Sequence, residues 1–73
     1  MDRKDEAIKN WEKAVELDPA FAFAAYNLAV AYLEKGDKAK ALETCQKYLL
    51  IRGRSITAEE LKDINALIQK CKG

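Results

Sequence analysis

Histidine is missing from the sequence, and with it the side chain best suited to proton transfer near neutral pH and a common ligand for zinc. There is no glycine-rich phosphate loop, and no serine or cysteine has a visible base beside it, so phosphoryl chemistry and nucleophilic catalysis find no support. Glu59 and Glu60 are adjacent, which suits the acidic first turn of a helix better than paired acid and base work. The expectation is a chain that is not an enzyme, with no catalytic residue, no cofactor and no metal.

Other scarcities narrow the class further. One proline and three glycines in 73 residues, with 49% apolar and 34% charged side chains, argue against both disorder and a fibrous repeat. The net charge is only +1, so no strong attraction to nucleic acid or to an anionic membrane is expected. Its distribution is uneven: six acids against four bases over residues 1–19, then two acids against five bases over 36–54. The basic set Lys38, Lys40, Lys47, Arg52 and Arg54 reads as a solvated face. The longest apolar run, Ala20 to Leu33, is interrupted only by Asn27 and closes at Glu34 and Lys35. That is short of the ~20 residues of a membrane span, so it reads as a buried core helix. No secretory signal pattern opens the chain, which reads as cytoplasmic. The two cysteines, Cys45 and Cys71, are far apart in sequence and fall on apolar helix faces. They read as small buried hydrophobes, a disulfide or metal pair having no support in spacing or in any histidine.

Nowhere do apolar and polar residues alternate in a β-branched run, so the chain is expected to be all-α. Four antiparallel helices are predicted, at about 3–17, 20–35, 38–52 and 57–72. The first, capped by Asp2, carries Ala7, Ile8, Trp11, Ala14 and Val15 at helical spacing. Asp18 and Pro19 are expected to stop it and to serve as cap and first turn of the second. Gly36 stands where a left-handed cap closes the second helix, and Asp37 caps the third, which carries Ala41, Leu42, Cys45, Tyr48 and Leu49. Gly53 ends it. Thr57 and Glu60 form a capping box for the fourth helix, whose apolar face is Leu61, Ile64, Leu67, Ile68 and Cys71.

An internal repeat makes this bundle specific. Shifting the chain by 34 places Lys4, Ala7, Ile8, Lys13, Val15 and Leu17 on Lys38, Ala41, Leu42, Lys47, Leu49 and Ile51. At that period, with Leu28, Tyr32 and the turn Glu34-Lys35-Gly36-Asp37, then Ala41 at a small-residue position, the chain resembles the tetratricopeptide repeat. Trp11, Ala14 and Pro19 match the end of a preceding repeat. Against that pattern Ala25 and Cys45 replace aromatics, Ala29 replaces glycine, and Tyr48 fills a position usually small. The resemblance implies a fragment of a right-handed superhelix of antiparallel helix-turn-helix units. Residues 3–18 would be the second half of a repeat, 20–52 a complete repeat, and 57–72 a C-terminal capping helix.

One complete repeat is fewer than the three or more such arrays usually need. Two solutions are open: this is the C-terminal piece of a longer array, or a second copy supplies the missing surface. Ile8 and Trp11, lacking a partner helix, form a candidate self-association patch and allow a homodimer in isolation. On the second helix, Ala24, Leu28, Ala31 and Tyr32 are expected to pack within the repeat, which leaves Phe23, Tyr26, Val30 and Leu33 as a second stripe. The resemblance implies that this stripe, with Asn27, lines a concave groove for a peptide or helix of a partner protein. The stripe could equally be covered by the chain itself or by a dimer mate. A clamp for an acidic C-terminal tail is not expected, since Val30 stands where a second asparagine would be wanted.

Overall fold

The computed structural model describes residues 3–73, and four helices follow one another in antiparallel order: α1 (Arg3–Leu17), α2 (Ala22–Lys35), α3 (Lys38–Arg52) and α4 (Ala58–Lys72). Local chemistry accounts for most of their ends. Gly36 takes the left-handed conformation at φ 93°, and the amides of Gly36 and Asp37 turn back to the carbonyls of Leu33 and Tyr32. Only glycine enters that region without strain, so α2 stops there. Asp37 at once caps α3 by accepting from the Lys40 amide. Gly53, also at positive φ, ends α3 and leads into a single 3₁₀ turn, Gly53–Ser55. Thr57 and Glu60 form both halves of the predicted capping box on α4. The predicted cap Asp2 lies outside the described residues.

The junction between α1 and α2 differs from the expectation. Asp18 does not cap α2; its carbonyl accepts from the Phe21 amide and its Oδ1 from the Ala20 amide, 3.0 and 3.2 Å away. An aspartate followed by proline is suited to the first two positions of a tight turn. The chain completes that turn before helical bonding begins, so α2 starts at Ala22, and its cap residue Phe21 makes no side-chain bond.

The long apolar run is explained by topology. α2 approaches all three other helices, whereas α1 approaches closely only α2. Ala24, Leu28, Ala31 and Tyr32 are buried as expected, and so are Ala25 and Ala29, whose small side chains let neighbours come close. The core continues through Ala41, Cys45 and Tyr48 of α3 into Ile64, Leu67 and Cys71 of α4. Cys45 and Cys71 are both buried and free, and they are neighbours: burial first, then the adjacent Cys71 thiol, pushes the Cys45 thiol up to about 12. Leu61, assigned from sequence to the apolar face of α4, is instead 41% exposed. α1 buries no residue completely; Ile8, Trp11 and Val15 pack half-buried against the core. Polar contacts among the described residues tie it to α2: the Tyr32 hydroxyl donates to Glu12, and Lys35 pairs with Asp5 at 2.8 Å.

The molecule measures 37 × 30 × 17 Å, so it is a slab about two helix diameters thick. α2 and α4 line one broad face, α1 and α3 the other. Among the described residues, no helix is long and apolar enough to cross a membrane.

Candidate binding groove

Two cavities of about 500 and 300 Å³ lie along the α2–α4 face and share Tyr26 and Asp63 in their walls. They adjoin at those two residues as two ends of one groove on that face. Phe23, Tyr26 and Asn27 line its larger end, and Tyr26, Val30 and Leu33 its smaller end. Phe23, Tyr26, Val30 and Leu33, read from the sequence as a second stripe, therefore stand along α2, with Asn27 beside Tyr26. The reason is helical geometry: their spacings of three and four keep them on one face, while the alanine-rich face turns into the core.

Each contributes differently. Phe23 is 58% exposed, with its ring edge-on to Trp11 at 5.8 Å and stacked on Phe21 at 6.1 Å. Trp11 is thus flanked by an aromatic of α2 rather than bare, and Ile8 beside it is half-buried. Tyr26 leans edge-on against Tyr48 of α3 at 5.7 Å, so it serves packing as well as the groove. Asn27 spends one amide hydrogen within its own helix, donating to the Phe23 carbonyl at 2.8 Å. Its carbonyl oxygen and second hydrogen are its remaining capacity for a ligand.

The opposite wall was not foreseen. It comes from α4, through Asp63, Ala66, Leu67 and Lys70, and at the larger end from Tyr48, Arg52 and Glu60. Arg52, read from sequence as part of a solvated basic face, is half-buried and holds Glu60. Its Nη2 donates to Glu60 Oε1 at 2.9 Å, and its Nε stands 2.9 Å from Oε2 as an ion-pair contact without a hydrogen bond. The Tyr48 hydroxyl also donates to Oε2, at 3.1 Å, and the Thr57 amide donates to Oε1. The Thr57 backbone amide, ahead of the guanidinium and the two hydroxyls, holds the Glu60 carboxyl down to about 2. Burial, with help from Glu60, raises the Tyr48 hydroxyl above its ordinary value, so it remains a donor. The network fastens the end of α3 to the start of α4 and fixes the width of the groove there.

The sequence carries the apolar face of α4 but not its place opposite α2. Ala25, Leu28 and Tyr32 on α2 are separated by three and four, as are Ile64, Leu67 and Cys71 on α4, and all six are buried. The same burial pattern on both helices turns one face of each into the core.

Residues 3–36 match a family described as TPR repeat, and residues 24–54 match one described as tetratricopeptide repeat. The chain belongs to the tetratricopeptide repeat family. The two matches overlap across α2 and together take in α1 to α3, while α4 lies outside both. Over 59 residues the chain is 41% identical to the antiviral innate immune response effector IFIT1 of Macaca fascicularis, a stretch that is 81% of this chain. The chain spans 12% of the length of that relative. Tetratricopeptide repeats generally mediate protein–protein interaction, and the family is a scaffold family rather than an enzymatic one.

Proposed function

We propose that the α2–α4 groove docks an amphipathic helix or an apolar peptide of a partner protein. The observation that supports this reading is the pair of adjoining cavities along α2. Phe23, Tyr26, Val30 and Leu33 run along them, and none of the described side chains fills them. Exposed aromatics such as Phe23 are the kind of anchor that dominates protein contacts. Asp63 at the centre and Glu34 and Lys70 at one end offer polar contacts that fix register. Glu60 and Arg52 satisfy each other and add little free charge, which fits an apolar ligand better than an acidic tail. In this reading residues 20–52 form the complete repeat, 3–18 the second half of another, and 57–72 a closing helix that doubles as a groove wall.

The test is selection of peptides from a displayed random library on the immobilised chain, followed by titration of the winners with amide chemical shifts as readout. Shifts are expected along α2 and α4. Phe23→Ala combined with Asp63→Lys should weaken binding at least about tenfold while the helical circular dichroism is unchanged, because both side chains are exposed. Selected peptides that shift only α1 and α3 would refute the assignment.

A further inference from the structure

We propose that the α2–α4 groove takes a basic amphipathic helix, with an arginine seated between Tyr26 and Asp63 and an apolar side chain one helical turn to either side of it. This rests on the groove as the docking site and names the chemistry of its occupant. Tyr26 and Asp63 are the two residues that line both cavities, so they mark the point where the larger end passes into the smaller. Asp63 is exposed, and among the described residues it accepts no hydrogen bond and forms no ion pair. The Tyr26 ring stands across from it, held edge-on by Tyr48 at 5.7 Å. A carboxylate and an aromatic ring on facing walls suit a guanidinium, which bonds a carboxylate through two parallel N–H groups and lays its plane on a ring. To either side of that point the α2 wall is apolar, Phe23 in one direction and Val30 and Leu33 in the other. These take the two flanking side chains.

The other charges of the groove leave the surplus at Asp63. The linings hold two bases, Arg52 and Lys70, against three acids, Glu34, Glu60 and Asp63. Arg52 and Glu60 satisfy each other at the larger end. Glu34 from α2 and Lys70 from α4 balance each other in the smaller end, and Lys70 is seven residues beyond Asp63, about 10 Å along the helix. The remaining cations nearby do not reach the groove. Arg54, Lys62 and Lys72 line neither cavity, and Lys35 of α2 is paired with Asp5 of α1. On α4, Lys62 is turned about 100° from Asp63 and Lys72 about 180°, whereas Glu59 is turned only about 40° and adds negative charge on the same side. The opposite face disfavours such a ligand. The cleft of about 300 Å³ between α1 and α3 has Lys47 as the one charged side chain of its lining, so a basic helix is repelled there and attracted to the α2–α4 face.

A displayed library of random peptides as long as α2, 14 residues, panned on the immobilised chain, tests this. The winners are expected to share an arginine at one fixed position, with apolar residues three or four positions before and after it. For the tightest winner, replacing that arginine with glutamine should weaken binding about tenfold, and Asp63→Asn in the chain should do the same. The two changes together should cost little more than either alone, because they remove one contact. Asp63→Arg should bind the arginine-to-glutamate peptide more tightly than the parent chain does. Asp63 is exposed, so the circular dichroism of these variants should match the parent. Winners that shift the amides of α2 and α4 but share no base, or that bind Asp63→Asn as tightly as the parent, overturn the arginine seat and leave the groove standing. Winners whose shifts fall on α1 and α3, or a library that yields none, overturn the groove and the arginine seat together.

Discussion

Replacing Ile64 with alanine tests whether α4 is an integral wall of the module or a loosely attached end. Ile64 is completely buried and sits in α4 at the centre of the cluster that joins it to α2 and α3. Three buried carbons are removed, and at ~0.8 kcal/mol each the transfer loss is about 2.4 kcal/mol. A cavity that does not collapse adds ~24 cal/mol per Å³, so a total of about 3–4 kcal/mol is expected. For a chain of this length total stability is of order 4–11 kcal/mol, so the change removes a large share. The melting temperature should fall by roughly 15–25 °C. Urea unfolding followed by circular dichroism and by tryptophan fluorescence is the assay. The single tryptophan, Trp11, lies on α1 at the other end of the chain, so it reports α4 only if the two unfold together. Coincident transitions, both shifted, are expected. A loss below about 1 kcal/mol, or a fluorescence transition that stays in place while helicity falls separately, would show that α4 frays alone and would refute the reasoning.

Two further outcomes follow from the titrating groups. Glu60, held down to about 2 by the Thr57 amide and then by Arg52, contributes stability that is fully present above the ordinary carboxylate value near 4.5 and is lost as pH falls through about 2. The drop in melting temperature between pH 5 and pH 2 should therefore be smaller in Glu60→Gln than in the parent; equal slopes would show that the network does not hold the carboxylate. Cys45, with its thiol pushed up to about 12 by burial, has almost no thiolate at pH 8. Reaction of both thiols with a disulfide reagent at that pH should be slow in the native chain and fast in urea, and rapid native labelling would contradict a closed α3–α4 contact.

Local chemistry was legible from the start. Gly36 with Asp37, Thr57 with Glu60, and the three-and-four spacings along each helix all act within a turn or two, so their meaning survives without knowledge of neighbours. The repeat of 34 residues carried the family, because the same side chains recur where the same packing recurs. Phe23, Tyr26, Val30 and Leu33 were separated from the core positions of α2 by subtraction, and they line cavities on that face; their role as a groove is a proposal. Asp18 and Pro19 were misread because a cap and a turn use the same residue types, and only the bonds to Ala20 and Phe21 distinguish them.

The sequence by itself determined four helices, the caps at Gly36 with Asp37 and at Thr57 with Glu60, and the stripe of α2 left over from the core. The tertiary structure decided what stands across from that stripe. Asp63 and Lys70 of α4 as the facing wall, Arg52 withdrawn from a basic surface to hold Glu60, and Tyr48 wedged between Tyr26 and Glu60 all depend on contacts between residues far apart in the chain. So does the gap between α1 and α3. Periodicity states which face of a helix is apolar; whether a neighbour covers it is a property of how all four helices pack.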